Sequence, residues 1–128
     1  MKNILIVDDD IDSSLTYKKW LEDEGFDLTI INDPNLAEQK FKPQYYDLVL
    51  IGFKMSMREG FDLYNKLREI EKKVKSDTIK QFHICFMTAS SINYKALAEV
   101  YPDLGEECYV SKGVSKEIFI NHVYSLMS

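Results

Sequence analysis

Apolar residues fall along the chain in five short runs separated by stretches of helical spacing, and the two periods together predict the secondary structure. Ile4-Leu5-Ile6-Val7 is β-branched and apolar at successive positions, which is how a strand buried on both faces reads. Residues 26–31, 47–51, 82–87 and 108–110 supply four more strands, that of 47–51 ending at Gly52. Residues 10–24 predict a helix with Ile11, Leu15 and Leu21 turned inward, acidic residues at its start and Gly25 just past its end. Asp33-Pro34 opens a second helix, since the carboxylate can cap free amides and a proline at the first position gives up no hydrogen bond; Ala37 and Phe41 face inward from it. From Phe61, the 4-3-4 spacing of Leu63, Leu67, Ile70 and Val74 gives the clearest helix, with Glu69, Glu71, Lys72, Lys73 and Lys75 solvating its far end. Residues 53–59 lack apolar periodicity and read as a loop closed by Gly60. Residues 93–101 form a short helix stopped by Pro102, and Ser115 caps a last helix carrying Phe119, Val123 and Leu126 inward.

Strand and helix thus alternate five times, which predicts right-handed crossovers and an α/β fold with a parallel sheet covered on both faces. A length of 128 residues, 45% of them hydrophobic, suits one domain over residues 1–128 and excludes disorder. The net charge of −5 and the lack of a basic stripe argue against a nucleic-acid partner. Cys85 and Cys108 belong to no CxxC and read as small buried thiols in a reducing compartment. No leader segment and no membrane-length apolar stretch is expected, so the protein should be cytoplasmic. His83 and His122 have no second ligand at metal spacing, and no G-x-S-x-G turn offers a hydrolase nucleophile.

In an open parallel sheet, ligands collect at the carboxyl ends of the strands. Here the first strand ends in Asp8 and Asp9, the third in Gly52, the fourth in Thr88, and the fifth leads into Lys112. Two carboxylates with a hydroxyl and an ammonium nearby suit a hard cation together with a phosphoryl group.

Over essentially its whole length the chain resembles the response-regulator receiver domain, the phosphoacceptor module of two-component signalling. The resemblance rests on residues 4–9, on Tyr46-Asp47-Leu48-Val49-Leu50-Ile51, on Lys54-Met55 with Gly60-Phe61, on Met87-Thr88-Ala89, and on Tyr109 with Lys112. It implies the flavodoxin-like (βα)5 doubly wound sheet of order 2-1-3-4-5. It further implies that Asp8 and Asp9 hold Mg2+, that Thr88 senses the phosphoryl group, that Lys112 is the site's cation, and that Tyr109 is the aromatic switch. The family's acceptor aspartate ends the third strand, and Gly52 falls there. Without that carboxylate there is no acyl-phosphate nucleophile and the metal loses a ligand, so Mg2+ binding should be weak and no catalytic residue is expected.

Two more departures stand close by. The family's Met-Pro-Gly-Met-Asp-Gly is here Met55-Ser56-Met57-Arg58-Glu59-Gly60, and its Lys-Pro is Lys112-Gly113, for which a trans bond and a relocated Lys112 are expected. Lys112, deprived of an anion at position 52, should pair with Asp8 or Asp9. The reading is of a non-enzymatic, stand-alone atypical receiver acting by protein binding through its fourth-helix and fifth-strand face. Its partner would be a histidine kinase, an output protein or a second copy. One alternative is a working phosphorelay receiver in which Gly52 is an introduced substitution, or whose phosphoryl group lands on Asp8, Asp9 or Ser56. An alternative of another class is a small nucleotide or flavin binder, against which the Asp8-Asp9-Asp10 run weighs by repelling phosphate.

Overall fold

A computed structural model describes residues 2–52, 57–74, 81–88 and 94–128. Five strands, β1 (Asn3–Val7), β2 (Asp27–Ile31), β3 (Leu48–Gly52), β4 (His83–Thr88) and β5 (Tyr109–Ser111), form one sheet of order β2-β1-β3-β4-β5. Every pairing is parallel, with Ile4 opposite both Leu28 and Leu48, Ile51 opposite Phe86, and Thr88 opposite Ser111. The helices are α1 (Ile11–Glu22), α2 (Pro34–Lys40), α3 (Met57–Lys72), α4 (Tyr94–Val100) and α5 (Lys116–Met127), and a 3-10 turn (Glu106–Cys108) leads into β5. This is the flavodoxin-like doubly wound order expected.

The unbroken apolar runs are explained by two separate cores. Leu5, Val7, Val49, Ile51, Ile84 and Phe86 point to one face, under Ala37 and Phe41 from the α2 side and Phe61, Leu63 and Leu67 of α3. Ile4, Ile6, Leu48, Leu50, Cys85 and Met87 point to the other, under Tyr17 and Leu21 of α1 and Phe119, Val123 and Leu126 of α5. Alternate residues of each central strand serve opposite faces, so neither parity can be polar. Asp10, Asp33 and Ser115 accept backbone N–H groups at the starts of α1, α2 and α5, as their residue types predict. Gly25, at φ +92°, takes the left-handed turn that ends the α1 segment. No helix among the described residues is long and apolar enough to cross a membrane.

Several expectations need correction. Ile11 and Leu15 do not face inward but are 58% and 53% exposed; Ser14, Tyr17 and Leu21 form the buried face of α1. Ser14 is tolerated there because its hydroxyl donates to the Ile11 carbonyl at 2.8 Å and accepts from Asn32. The third helix begins at Met57, inside the expected 53–59 loop, and Gly60 is a buried helical residue rather than a loop closure. Its first turn is exposed at Arg58 and Glu59, so apolar periodicity could not reveal it. Glu71 is not solvated but 2% exposed: it accepts from the Gln44 backbone N–H and side-chain amide, clasping α3 to a turn where Gln44 has φ 63°. Phe53, Lys54, Met55, Ser56, Lys75, Ala89 and Asn93 lie outside the described residues.

Of the two cysteines, Cys85 is buried at the sheet centre whereas Cys108 is only half-buried. Burial pushes both thiols up, away from the reactive thiolate. A disulfide reagent at mildly alkaline pH is therefore expected to modify Cys108 first and Cys85 only in denaturant. Prompt reaction of both in the folded protein would contradict a closed sheet centre.

Candidate functional site

The carboxyl ends of the parallel strands bring Asp8, Gly52, Thr88 and the Lys112 backbone to one edge of the sheet. Asp8 follows β1 directly and is fully buried, with its Oδ1 accepting the Asp10 N–H at 2.9 Å. Its Oδ2 lies 2.9 Å from Lys112 Nζ, so the lysine pairs with Asp8 rather than Asp9. Lys112 is itself largely enclosed, its side chain 13% exposed, and its backbone N–H donates to the Thr88 carbonyl at 2.6 Å. That bond continues the β4–β5 ladder by one residue and aims Lys112 back across the sheet. No cis peptide occurs among the described residues, so Lys112-Gly113 is trans, with Gly113 at φ +94° completing the turn.

Gly52 ends β3 between Asp8 and Met87. A Cβ built on it would overlap the Asp8 carboxylate, which occupies the space a side chain at position 52 would need. Asp8 and Lys112 therefore close over the strand end as a buried ion pair, a geometry that glycine alone permits here.

Three residues that hold this arrangement carried no signal in the sequence. Asn32, just past β2, donates through Nδ2 to the Asp8 carbonyl at 2.7 Å and to Ser14 Oγ at 3.0 Å, tying the β1 turn to α1. Tyr17 is buried within reach of the Asp8 charge, its phenol pushed up by burial and then by that charge, and eased by a hydrogen bond with the Gly113 backbone. An asparagine after a strand, or a serine and tyrosine on a helix, have many commoner explanations. Thr88 is buried at the end of β4. Asp9 is half-buried, with Oδ1 shielded and without a hydrogen-bond partner among the described residues.

Receiver domains commonly bind Mg2+ at this place, and among the described acidic side chains there only Asp9 presents an unengaged oxygen, too few for this ion. Magnesium needs several oxygens in near-octahedral order. One Asp8 oxygen is paired with an ammonium, the other accepts a backbone N–H, and Gly52 offers no donor side chain. Among the described residues no three His, Cys, Asp or Glu side chains cluster at metal-binding distance. His83 is exposed at the start of β4, and His122 contacts the Glu107 carbonyl at 2.7 Å on the far side.

Tyr109, on the edge strand β5, is buried. It is 3% exposed, stacked on Phe86 with ring centroids 5.7 Å apart and edge-on to Phe61 at 6.4 Å. Phe61 in turn stacks on Tyr101. The described side chains of the neighbouring helix α4, Lys95, Ala96, Ala98, Glu99 and Val100, are all exposed.

Comparison with known proteins agrees with this architecture. The non-phosphorylated HemR receiver domain from Leptospira biflexa superposes with a TM-score of 0.76 at 24% identity, covering 100% of this chain and 95% of that one. Vibrio cholerae chemotaxis protein CheY4 gives 0.77 at 19% identity, with 98% of each chain covered. In sequence, the probable transcriptional regulator ycf29 of Porphyra purpurea is 27% identical over 125 residues, 98% of this chain and 56% of its own length. The sensor protein EvgS of Escherichia coli K12 is 37% identical over 67 residues, which are 52% of this chain and 6% of that protein. The chain thus spans little more than half of the first relative and a small part of the second. The response regulator receiver domain model matches residues 4–124, nearly the whole chain, and with the sheet order just described this places the protein in the response regulator receiver domain family of two-component signalling.

Proposed function

We propose that this chain is a receiver that does not accept a phosphoryl group and signals by protein binding alone, through the surface formed by α4 and β5. The observation that carries the reading is the Asp8 carboxylate seated over Gly52 and clamped by Lys112. In that state the strand end offers no free nucleophile, and the lysine that would meet an incoming phosphoryl oxygen is engaged. Mg2+ binding is weak for the same reason: its oxygens would have to be taken from Lys112.

Tyr109 supports a fixed signalling surface. Its ring is enclosed by Phe61 and Phe86, contacts that favour one arrangement of the edge beside α4. A partner such as a histidine kinase or output protein would read that exposed helix directly. Relatives that include sensor and hybrid histidine kinases fit this partner class.

Intact mass after incubation with acetyl phosphate and magnesium tests the reading. No added phosphoryl group is expected on the native chain, whereas Gly52→Asp, with the nucleophile supplied, should take up one. A phosphoryl group on the native chain would overturn the reading, and peptide mapping would then assign it to Asp8, Asp9 or Ser56.

A further inference from the structure

A groove between α3 and the segment joining α4 to β5 lies apart from the strand ends and plays no part in the reading above. It comprises two cavities of about 330 and 500 Å³ that share Tyr64, Arg68, Gln81, Asp103 and Leu104 as walls. Both are open to solvent and lined by polar and apolar groups together, so they are surface grooves rather than voids in the core.

Arg68 is the unusual member. Its guanidinium lies over the Phe82 ring at 4.0 Å and the Tyr64 ring at 5.0 Å, and its Nε donates to the Tyr64 hydroxyl at 3.0 Å. Two aromatic contacts and one hydrogen bond fix the fork in place, which removes most of the entropy a flexible arginine would lose on binding an anion. Its Nη1 is shielded from water and has no hydrogen-bond partner among the described residues. No acidic side chain among them pairs with it, although Asp103 and Glu107 stand in the walls. A charged donor without an acceptor, in partly apolar surroundings, is costly to maintain and is satisfied by a carboxylate in bidentate contact.

We propose that this groove binds a small aromatic monocarboxylate, its carboxylate on Arg68 and its ring along Tyr64, Tyr101 and Leu104. The two acidic walls select against the alternatives. A phosphate carrying more than one charge is disfavoured beside the exposed carboxylates of Asp103 and Glu107, whereas a singly charged carboxylate on a flat apolar body meets less repulsion and gains Arg68. A hydroxyl at the far end of the ring could donate to either acid, which makes 4-hydroxybenzoate a suitable probe. Tyr64 and Tyr101, both lining residues, contact Phe86 and Phe61, so a bound ring would touch the aromatic cluster that encloses Tyr109.

The test is a titration of 4-hydroxybenzoate into the ¹⁵N-labelled protein, followed by NMR. Saturable shifts are expected at the Arg68 Nε–Hε, Gln81 and Leu104 signals, with Lys112 and Asp9 unmoved. Arg68→Met, which keeps the apolar stem, should weaken binding about tenfold or more. Inorganic phosphate should produce no saturable shift at these signals. The proposal is overturned by non-saturable shifts, by shifts confined to the Asp8 edge, by phosphate acting equally well, or by unchanged affinity in folded Arg68→Met. Mapping on the unaltered protein decides the site by itself if the variant does not fold.

Discussion

Gly52→Asp is expected to convert a protein indifferent to magnesium into one that magnesium stabilises. The new Cβ cannot coexist with the Asp8 carboxylate where it now lies, so Asp8 must rotate away and its pair with Lys112 must loosen. Two carboxylates then contend for one ammonium in an enclosed space, and without metal the variant should melt below the native protein. The same crowding supplies what magnesium lacks in the native chain, namely several free oxygens around one point. At ten times its dissociation constant the ion adds about 1.4 kcal/mol, or roughly 5 °C in melting temperature for a chain of this size. Thermal melts of both proteins across a magnesium series, with calcium and ionic-strength controls, measure it. An equal response from the two proteins would mean that the rest of the site is not preserved around Gly52.

Lys112→Met is expected to cost about 3 kcal/mol of stability, because it strands a carboxylate that has no access to water. The pair is not worth that much as an attraction; the cost is of leaving Asp8 charged and alone. The distinguishing measurement is therefore the double variant Asp8→Asn with Lys112→Met, which removes the stranded charge and should recover most of the loss in urea denaturation. A Lys112→Met protein as stable as the native one would show that the ion pair does not hold Asp8 in place. Additive losses in the double variant would show that the two side chains act separately.

The strands were legible in the sequence almost to the residue because a strand buried on both faces leaves no room for polar positions. Each expected run, from Ile4 to Val110, overlaps its observed strand to within one residue at either end. Helices were harder wherever burial did not follow hydrophobicity. On α1 the core positions include a serine satisfied by local bonds and a tyrosine stacked near Phe119, while two aliphatic residues face solvent. On α3 a glutamate is buried because a turn 27 residues earlier needs an acceptor, a relation that no local period encodes. At the strand ends the sequence supplied the residues and their order. It could not supply the position of the Asp8 carboxylate over Gly52, which depends on the absence of an atom, nor the roles of Asn32 and Ser14, which depend on backbone groups brought together only by the sheet.

The pairing of Asp8 with Lys112 also bears on how the molecule folds. The residues follow β1 and β5, the first and last strands in chain order, so their contact forms only after every intervening crossover has closed. Even the β1–β3 neighbourhood requires Asn3 to meet Asp47 across 44 residues, and long closures of this kind place parallel sheets among the slower folders. A contact made that late contributes little to the transition state, so its free energy is expected to fall almost wholly on the unfolding rate. The buried pair would then govern how long the native molecule persists rather than how quickly it is reached.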